Sequence, residues 1–153
     1  MKYLFIDIDG VVNSTAFFKR REELKEYKEL SFPLDSFDKD AISLLNYIID
    51  NTDAKIVISS DWRFDEDLIP CLKYHGLKYE IYGITPYDKH YRRGIEIQKF
   101  LLNEKDVETY CIIDDIINHL LPTQYDYTVH TSFSDGLTKE LADKAIKILN
   151  NEM

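Results

Sequence analysis

Short apolar runs recur along this chain, each closing in a polar or acidic residue, and the stretches between them carry helical periodicity. The runs are Tyr3–Ile6, Ala54–Ile58, Tyr79–Ile84 and Tyr110–Ile113, and Asp126–His130 reads as a short fifth strand. Continuous rather than alternating hydrophobicity is the signature of strands covered on both faces. Helices are expected over 17–29, over a segment capped by Ser36 or Asp38 with Ile42, Leu45, Ile48 and Ile49 on one face, and over 65–75, closing at Gly76. Pro70 calls for a kink or a late start in the last of these. Two more helices are expected over 94–103, through Ile95, Ile97, Leu101 and Leu102, and over 137–149. Strand and helix in alternation imply a parallel sheet, and right-handed crossovers make it doubly wound, Rossmann-like, with helices on both faces. In the order 3-2-1-4-5, strands 1 and 4 flank the switch point at which such sheets bind ligands.

The polar residues that close the strands gather at that point. Strand 1 ends in Asp7-Ile8-Asp9-Gly10, strand 2 in Ser59-Ser60-Asp61, and strand 4 in Asp114-Asp115. Residues two apart on a strand share a face, so Asp7 and Asp9 can converge on one ligand. Carboxylates held together repel unless a cation or a shared proton compensates them, and a hard divalent ion such as Mg2+ suits oxygen ligands. A carboxylate can also attack phosphorus as a nucleophile. Each motif has a plainer reading. Asp9-Gly10 also suits a turn, Ser59 a helix cap (as do Ser60 and Asp61), and Asp114-Asp115 a cap for the next segment, though paired acids behind an apolar strand are hard to justify structurally. Trp62 and Arg63 read as packing and capping residues, and the four histidines show no metal-ligand spacing.

With 153 residues and 44% hydrophobic composition, the chain is expected to form one domain over 1–153 with a substantial core. No stretch approaches the roughly 20 apolar residues that span a bilayer. The N-terminal apolar run is too short for a signal peptide and ends in acid. Cys71 and Cys111 form no CxxC pair, so two reduced thiols and a cytoplasmic location are expected. A net charge of −9 argues against general nucleic-acid binding. Of the two basic clusters, Lys19-Arg20-Arg21 reads as a solvated helix face, with Glu22 pairing to Lys25. The other is Lys89-His90-Tyr91-Arg92-Arg93, where Tyr87 and Tyr91 read as packing aromatics, with an aromatic pair that holds a nucleobase beside the basic residues as the alternative.

The ordered set Phe5-Ile-Asp7-Ile-Asp9-Gly10-Val-Val-Asn13, Ile56-Val-Ile-Ser59, a basic residue opening a helix, and Ile112-Ile-Asp114-Asp115 resembles the four motifs of the haloacid dehalogenase superfamily of phosphotransferases. The resemblance runs over nearly the whole chain and is to small forms without a large cap. Ser59-Ser-Asp-Trp-Arg63 and Arg93-Gly-Ile-Glu-Ile97 resemble phosphatase-type domains of some RNA-repair proteins. Arg93 best matches the third motif, with Arg92 and Lys89 as competitors. Val11 stands where many members carry threonine, which bears on the substrate rather than on the reaction.

The resemblance implies Asp7 as nucleophile forming an aspartyl phosphate and Asp9 as the acid and base. It implies Ser59 as a donor to a phosphoryl oxygen and Arg93 as the charge that neutralises the transition state. Mg2+ would be held by Asp7, Asp114 and the backbone carbonyl of Asp9, with Asp115 direct or through water. The expected partner is a phosphorylated substrate: a nucleotide, a nucleic-acid end or a small metabolite. Two other classes compete, a phospho-receiver domain and an inactive member used as a binding module. The receiver reading suffers from the order of parts, since the acidic pair recurs at strand 4 and no lysine follows strand 5 before Lys139.

Overall fold

The computed structural model describes residues 1–152. Five strands, β1 (Lys2–Ile6), β2 (Lys55–Ile58), β3 (Ile81–Ile84), β4 (Thr109–Asp114) and β5 (Thr128–His130), form one sheet in the order β3-β2-β1-β4-β5. All four neighbouring pairs are parallel. Three of the four crossovers carry α-helix: α1 (Thr15–Arg21), α2 (Lys25–Lys28) and α3 (Lys39–Asp50) between β1 and β2, α4 (Leu68–Tyr74) before β3, and α5 (Arg93–Leu102) before β4; the fourth, from β4 to β5, carries only a 3-10 helix over Pro122–Tyr127. Helix α6 (Lys139–Leu149) follows β5. This is the doubly wound, Rossmann-like arrangement that the alternation demands, and no cap domain is present among the described residues.

The central strand divides the core. Leu4 and Ile6 face one way, into a layer with Ile42 and Leu45 of α3, Leu72 of α4 and Ala145 and Leu149 of α6. Tyr3 and Phe5 face the other way, onto Ile97 and Phe100 of α5. Each such side chain taken fully out of water contributes about 1.5–3 kcal/mol. Burial on both faces therefore holds β1 firmly, and the residue after it inherits that rigidity.

Several helix ends differ in detail from the sequence expectation. The chain over 17–29 is not one helix: α1 and α2 are separated at Glu22–Leu24, with Leu24 extended. Phe17 and Tyr27 are both buried and meet edge to face at 5.2 Å. In a straight helix, ten residues would set them about 15 Å apart along the axis, so burying both aromatics requires the break. The Tyr27 hydroxyl then donates to the Phe37 carbonyl and accepts from the Lys39 amide, pinning α2 to the start of α3. Glu22 pairs with Arg21 instead of Lys25. Asp38, not Ser36, caps α3 by accepting from the Asp40 amide. Helix α4 starts late, at Leu68, which leaves Pro70 in the first turn, where its missing N–H is harmless. Strand β3 starts at Ile81 rather than Tyr79, and 126–127 belong to a 3-10 helix preceding β5.

Candidate functional site

Strands 1, 2 and 4 keep pairing beyond their last regular residue, and this aligns their polar tips. The Asp7 amide donates to the Ile113 carbonyl at 3.0 Å and the Ser59 amide to the Ile6 carbonyl at 3.0 Å. One carboxylate oxygen from each of Asp7, Asp114 and Asp115 lies within 4.8 Å of the others. Asp7 and Asp114 are buried and Asp115 is half-buried. The chain turns away at Gly10 with φ +82°, and a Cβ there would stand 2.5 Å from the Asp115 carboxyl. Only glycine fits both requirements.

Arg93 enters this acidic group from the first turn of α5. One of its terminal nitrogens is 3.0 Å from Asp7 and 3.0 Å from Asp114. A cation at a helix N-terminus opposes the helix dipole, so the position is sustained by the two carboxylates. The competitors lie elsewhere: Arg92 is tied to Asp88 at 3.1 Å, and Lys89 is exposed. Burial, reinforced by Asp114 and opposed by Arg93, pushes the Asp7 carboxyl up to about 8. Burial would raise Asp114 too, but a hydrogen bond from His119 and the Arg93 charge hold it below the ordinary range. Asp115 is raised, chiefly by burial. Three carboxylates thus share one guanidinium, a deficit of positive charge that suits a hard divalent cation among oxygen ligands. The donor set fits such an ion.

Asp9 does not join the cluster through its side chain. It is exposed at the cavity wall, where the Asn13 side-chain amide donates to one oxygen at 2.9 Å and the Trp62 indole N–H to the other at 3.1 Å. Asn13 itself is set by the Gly10 amide at 2.9 Å. Ser59 is fully buried and its hydroxyl has no hydrogen-bond partner among the described residues. The capping role falls to its neighbour, Ser60, which accepts from the Trp62 amide at 3.2 Å.

A second arginine braces the site. Arg63 is buried and donates to the Thr85 carbonyl at 2.9 Å, the Ser60 carbonyl at 3.1 Å and the Glu96 carboxylate at 3.0 Å. Glu96, one turn along α5 from Arg93, also accepts from the Asp88 amide at 2.9 Å. The tip of β2 is thereby locked to the helix that presents Arg93. Gly94 permits the close approach on the other side: a Cβ there would stand 2.6 Å from the Leu121 amide nitrogen.

Three contributors escape a reading of the sequence. Trp62 orients Asp9 rather than only packing, and Glu96 positions α5. His119, without metal spacing, lies 3.1 Å from Asp114. Nothing local marks His119, whereas the Arg-to-Glu pair stands inside the two segments that carry the resemblance to RNA-repair domains. Tyr87 and Tyr91 are exposed and meet each other at 5.5 Å instead of packing into the core.

Asp7, Asp9, Arg93 and Asp115 open into a cavity of about 700 Å3, walled also by Phe32, Trp62, Ile116, His119 and Phe133. An acidic group with one half-buried cation at the floor of an open cleft can bind a divalent ion and a small anionic group beside it. No helix among the described residues is long and apolar enough to cross a membrane. Among known proteins, the family described as the HAD domain in Swiss Army Knife RNA repair proteins matches residues 3–142. Among curated proteins and among solved structures nothing matches.

Proposed function

The chain belongs to the family of HAD domains in Swiss Army Knife RNA repair proteins, and from that premise we propose a Mg2+-dependent phosphomonoesterase that works through an aspartyl phosphate. Membership supports a phosphatase-type hydrolase in general. The metal, the intermediate and a nucleotide or polynucleotide end as substrate are the proposal's own. The observation that carries it is the cluster of buried Asp7 and Asp114 with half-buried Asp115, balanced in part by Arg93, beside an open cavity.

Asp7, Asp114 and the backbone carbonyl of Asp9 would hold Mg2+, with Asp115 direct or through water. When bound, the ion supplies the positive charge that lets an anionic nucleophile approach an anionic phosphate. An oxygen of Asp7 attacks phosphorus, and the bond to the leaving oxygen breaks as Asp9 gives that oxygen a proton. Asp9 then takes a proton from water, whose oxygen attacks phosphorus and releases phosphate from Asp7. Two moderate steps replace one with an exceptional barrier. Asn13 and Trp62 hold the Asp9 carboxyl in one orientation throughout, which proton transfer at a defined atom requires.

Ser59 and Arg93 serve the phosphoryl oxygens. A buried hydroxyl left without a partner costs about 1–3 kcal/mol, and a phosphoryl oxygen would supply the partner that the Ser59 side chain lacks. Arg93 neutralises charge as it builds on the equatorial oxygens.

The test is hydrolysis of p-nitrophenyl phosphate by wild type and Asp7→Asn, with Mg2+ and with chelator. Turnover that requires both Mg2+ and Asp7 is the expected result, with a loss of about 10^4-fold or more in the variant. Metal-independent turnover, or activity retained in Asp7→Asn, would remove the nucleophile assignment. Mg2+ binding without turnover of any ester would favour the binding-module reading.

A further inference from the structure

The mouth of the active-site cavity carries large apolar side chains that the core does not need. Phe32 is 70% exposed, Phe133 46% and Ile116 49%. They come from three separate loops, preceding α3, following β5 and following β4, yet all line the cavity that holds Asp7 and Arg93. Trp62 joins them, half-buried, its ring 5.8 Å from that of Phe32 and braced edge-on against Phe37 at 5.3 Å. Exposed apolar surface gathered around one concave site marks a place where a ligand is bound.

The charge at the same mouth narrows the ligand. Asp61 and Asp65 line it and are exposed. Asp61 makes only a 3.4 Å contact with Arg63, whose side chain is buried. Such carboxylates repel further phosphates but accept hydrogen bonds from N–H groups. A planar, uncharged group bearing amino donors satisfies both the rings and the acids, and nucleobases with exocyclic amines have that chemistry. A phenyl ring offers the stack without the donors.

We infer that the Phe32, Trp62 and Phe133 rim is a stacking seat for the single base of a nucleoside phosphomonoester, with Asp61 and Asp65 reading its amino group. This inference rests on the phosphatase reading above and names its substrate class. Base-on-aromatic stacking tolerates many bases, so the carboxylates set the preference for adenine, guanine and cytosine over uracil. Because only one base is seated and the mouth is acidic, nucleotides beyond the terminal one add nothing to recognition.

The experiment compares kcat/KM for adenosine 5′-monophosphate, ribose 5-phosphate, O-phosphotyrosine and a 5′-phosphorylated hexanucleotide, on wild type and Phe32→Ala/Phe133→Ala. The expected result is a preference of about tenfold or more for the nucleotide over ribose 5-phosphate, expressed mainly in KM. It should fall to within about threefold in the double variant, and the hexanucleotide should be no better than the mononucleotide. Four results would overturn the inference: equal use of ribose 5-phosphate, equal use of phosphotyrosine, a tenfold gain from the longer chain, or a preference that survives both truncations and falls in Tyr91→Ala. Trp62 is the sole tryptophan, so its fluorescence reports the seat without turnover. In Asp7→Asn with Mg2+, adenosine should quench it saturably, and the Phe32→Ala/Phe133→Ala changes should abolish the effect. If no ester is hydrolysed, the reaction reading fails and this titration decides the seat alone, since no quenching up to millimolar adenosine would dispose of it.

Discussion

Arg63 and Arg93 lie in neighbouring parts of one site, and each meets carboxylates at 3.0 Å, yet they are built for different ends. Arg63 faces one buried acid, Glu96, touches the exposed Asp61 at 3.4 Å, and spends its remaining N–H groups on backbone carbonyls that include those of Ser60 and Thr85. Its charge is matched inside the protein by Glu96 and its donors are occupied, so the group is closed to a ligand. Arg93 faces Asp7 and Asp114 with Asp115 close by, and its charge is outnumbered. Counting the buried charges separates a structural strut from a cluster open to a ligand. A balanced buried pair supports structure, whereas an unbalanced one leaves charge that a proton or a cation must answer.

The largest effect expected on this comparison comes from breaking the balanced pair. Arg63→Ala leaves Glu96 buried and unpaired, which costs about 3–5 kcal/mol. In thermal unfolding this should appear as a fall of roughly 10 °C. The double change Arg63→Met with Glu96→Leu should recover most of that stability while activity stays low, because α5 loses its tie to the tip of β2. Recovery of activity along with stability would show that the pair does not position Arg93.

Arg93→Ala is next. Turnover should fall by about 10^2–10^3-fold, the range for losing a group that stabilises transition-state charge. Arg92→Ala should leave kcat within about threefold, since Arg92 is engaged with Asp88 outside the cavity. The reverse ranking in steady-state kinetics would reassign the third motif.

Divalent ion should act on the unbalanced cluster alone. At a hundred times its dissociation constant, Mg2+ should stabilise wild type by about 2.7 kcal/mol, raising the melting temperature over that in chelator. The same titration on Asp114→Asn should give little shift. An equal shift in both proteins would place the ion elsewhere.

The smallest effect concerns the loop ahead of α5. Asp88 is held well below the usual carboxylate range, first by the Arg92 side chain and then by the Arg92 and His90 amides. A depressed carboxylate contributes stability above its unfolded pKa, and that contribution is lost as pH falls through the folded value. Asp88→Asn should therefore narrow the stability gap between neutral and strongly acidic solution, measured by urea unfolding. An unchanged pH profile would show that the loop is held by its backbone alone.

The sheet order and the convergence of Asp7, Ser59 and Asp114 were legible because both follow from period and connectivity. Continuous apolar runs separated by helices admit few topologies, and a strand tip presents its residue wherever the sheet puts it. Local chemistry also allowed three candidates for the basic residue and several for the cap after β2. That Arg93 rather than Arg92 or Lys89 enters the acidic cluster, and that Ser60 rather than Ser59 makes the cap, follows from side-chain contacts that no periodicity encodes. The break between α1 and α2 belongs with them, since only burial of both Phe17 and Tyr27 demands it. His119 on Asp114, Trp62 on Asp9 and Glu96 on Arg63 join residues 5, 53 and 33 positions apart. Propensity and spacing act over a few residues and determined the frame by themselves. Which charges are matched and which are left over depends on distances between segments, and that was decided only when the tertiary structure closed.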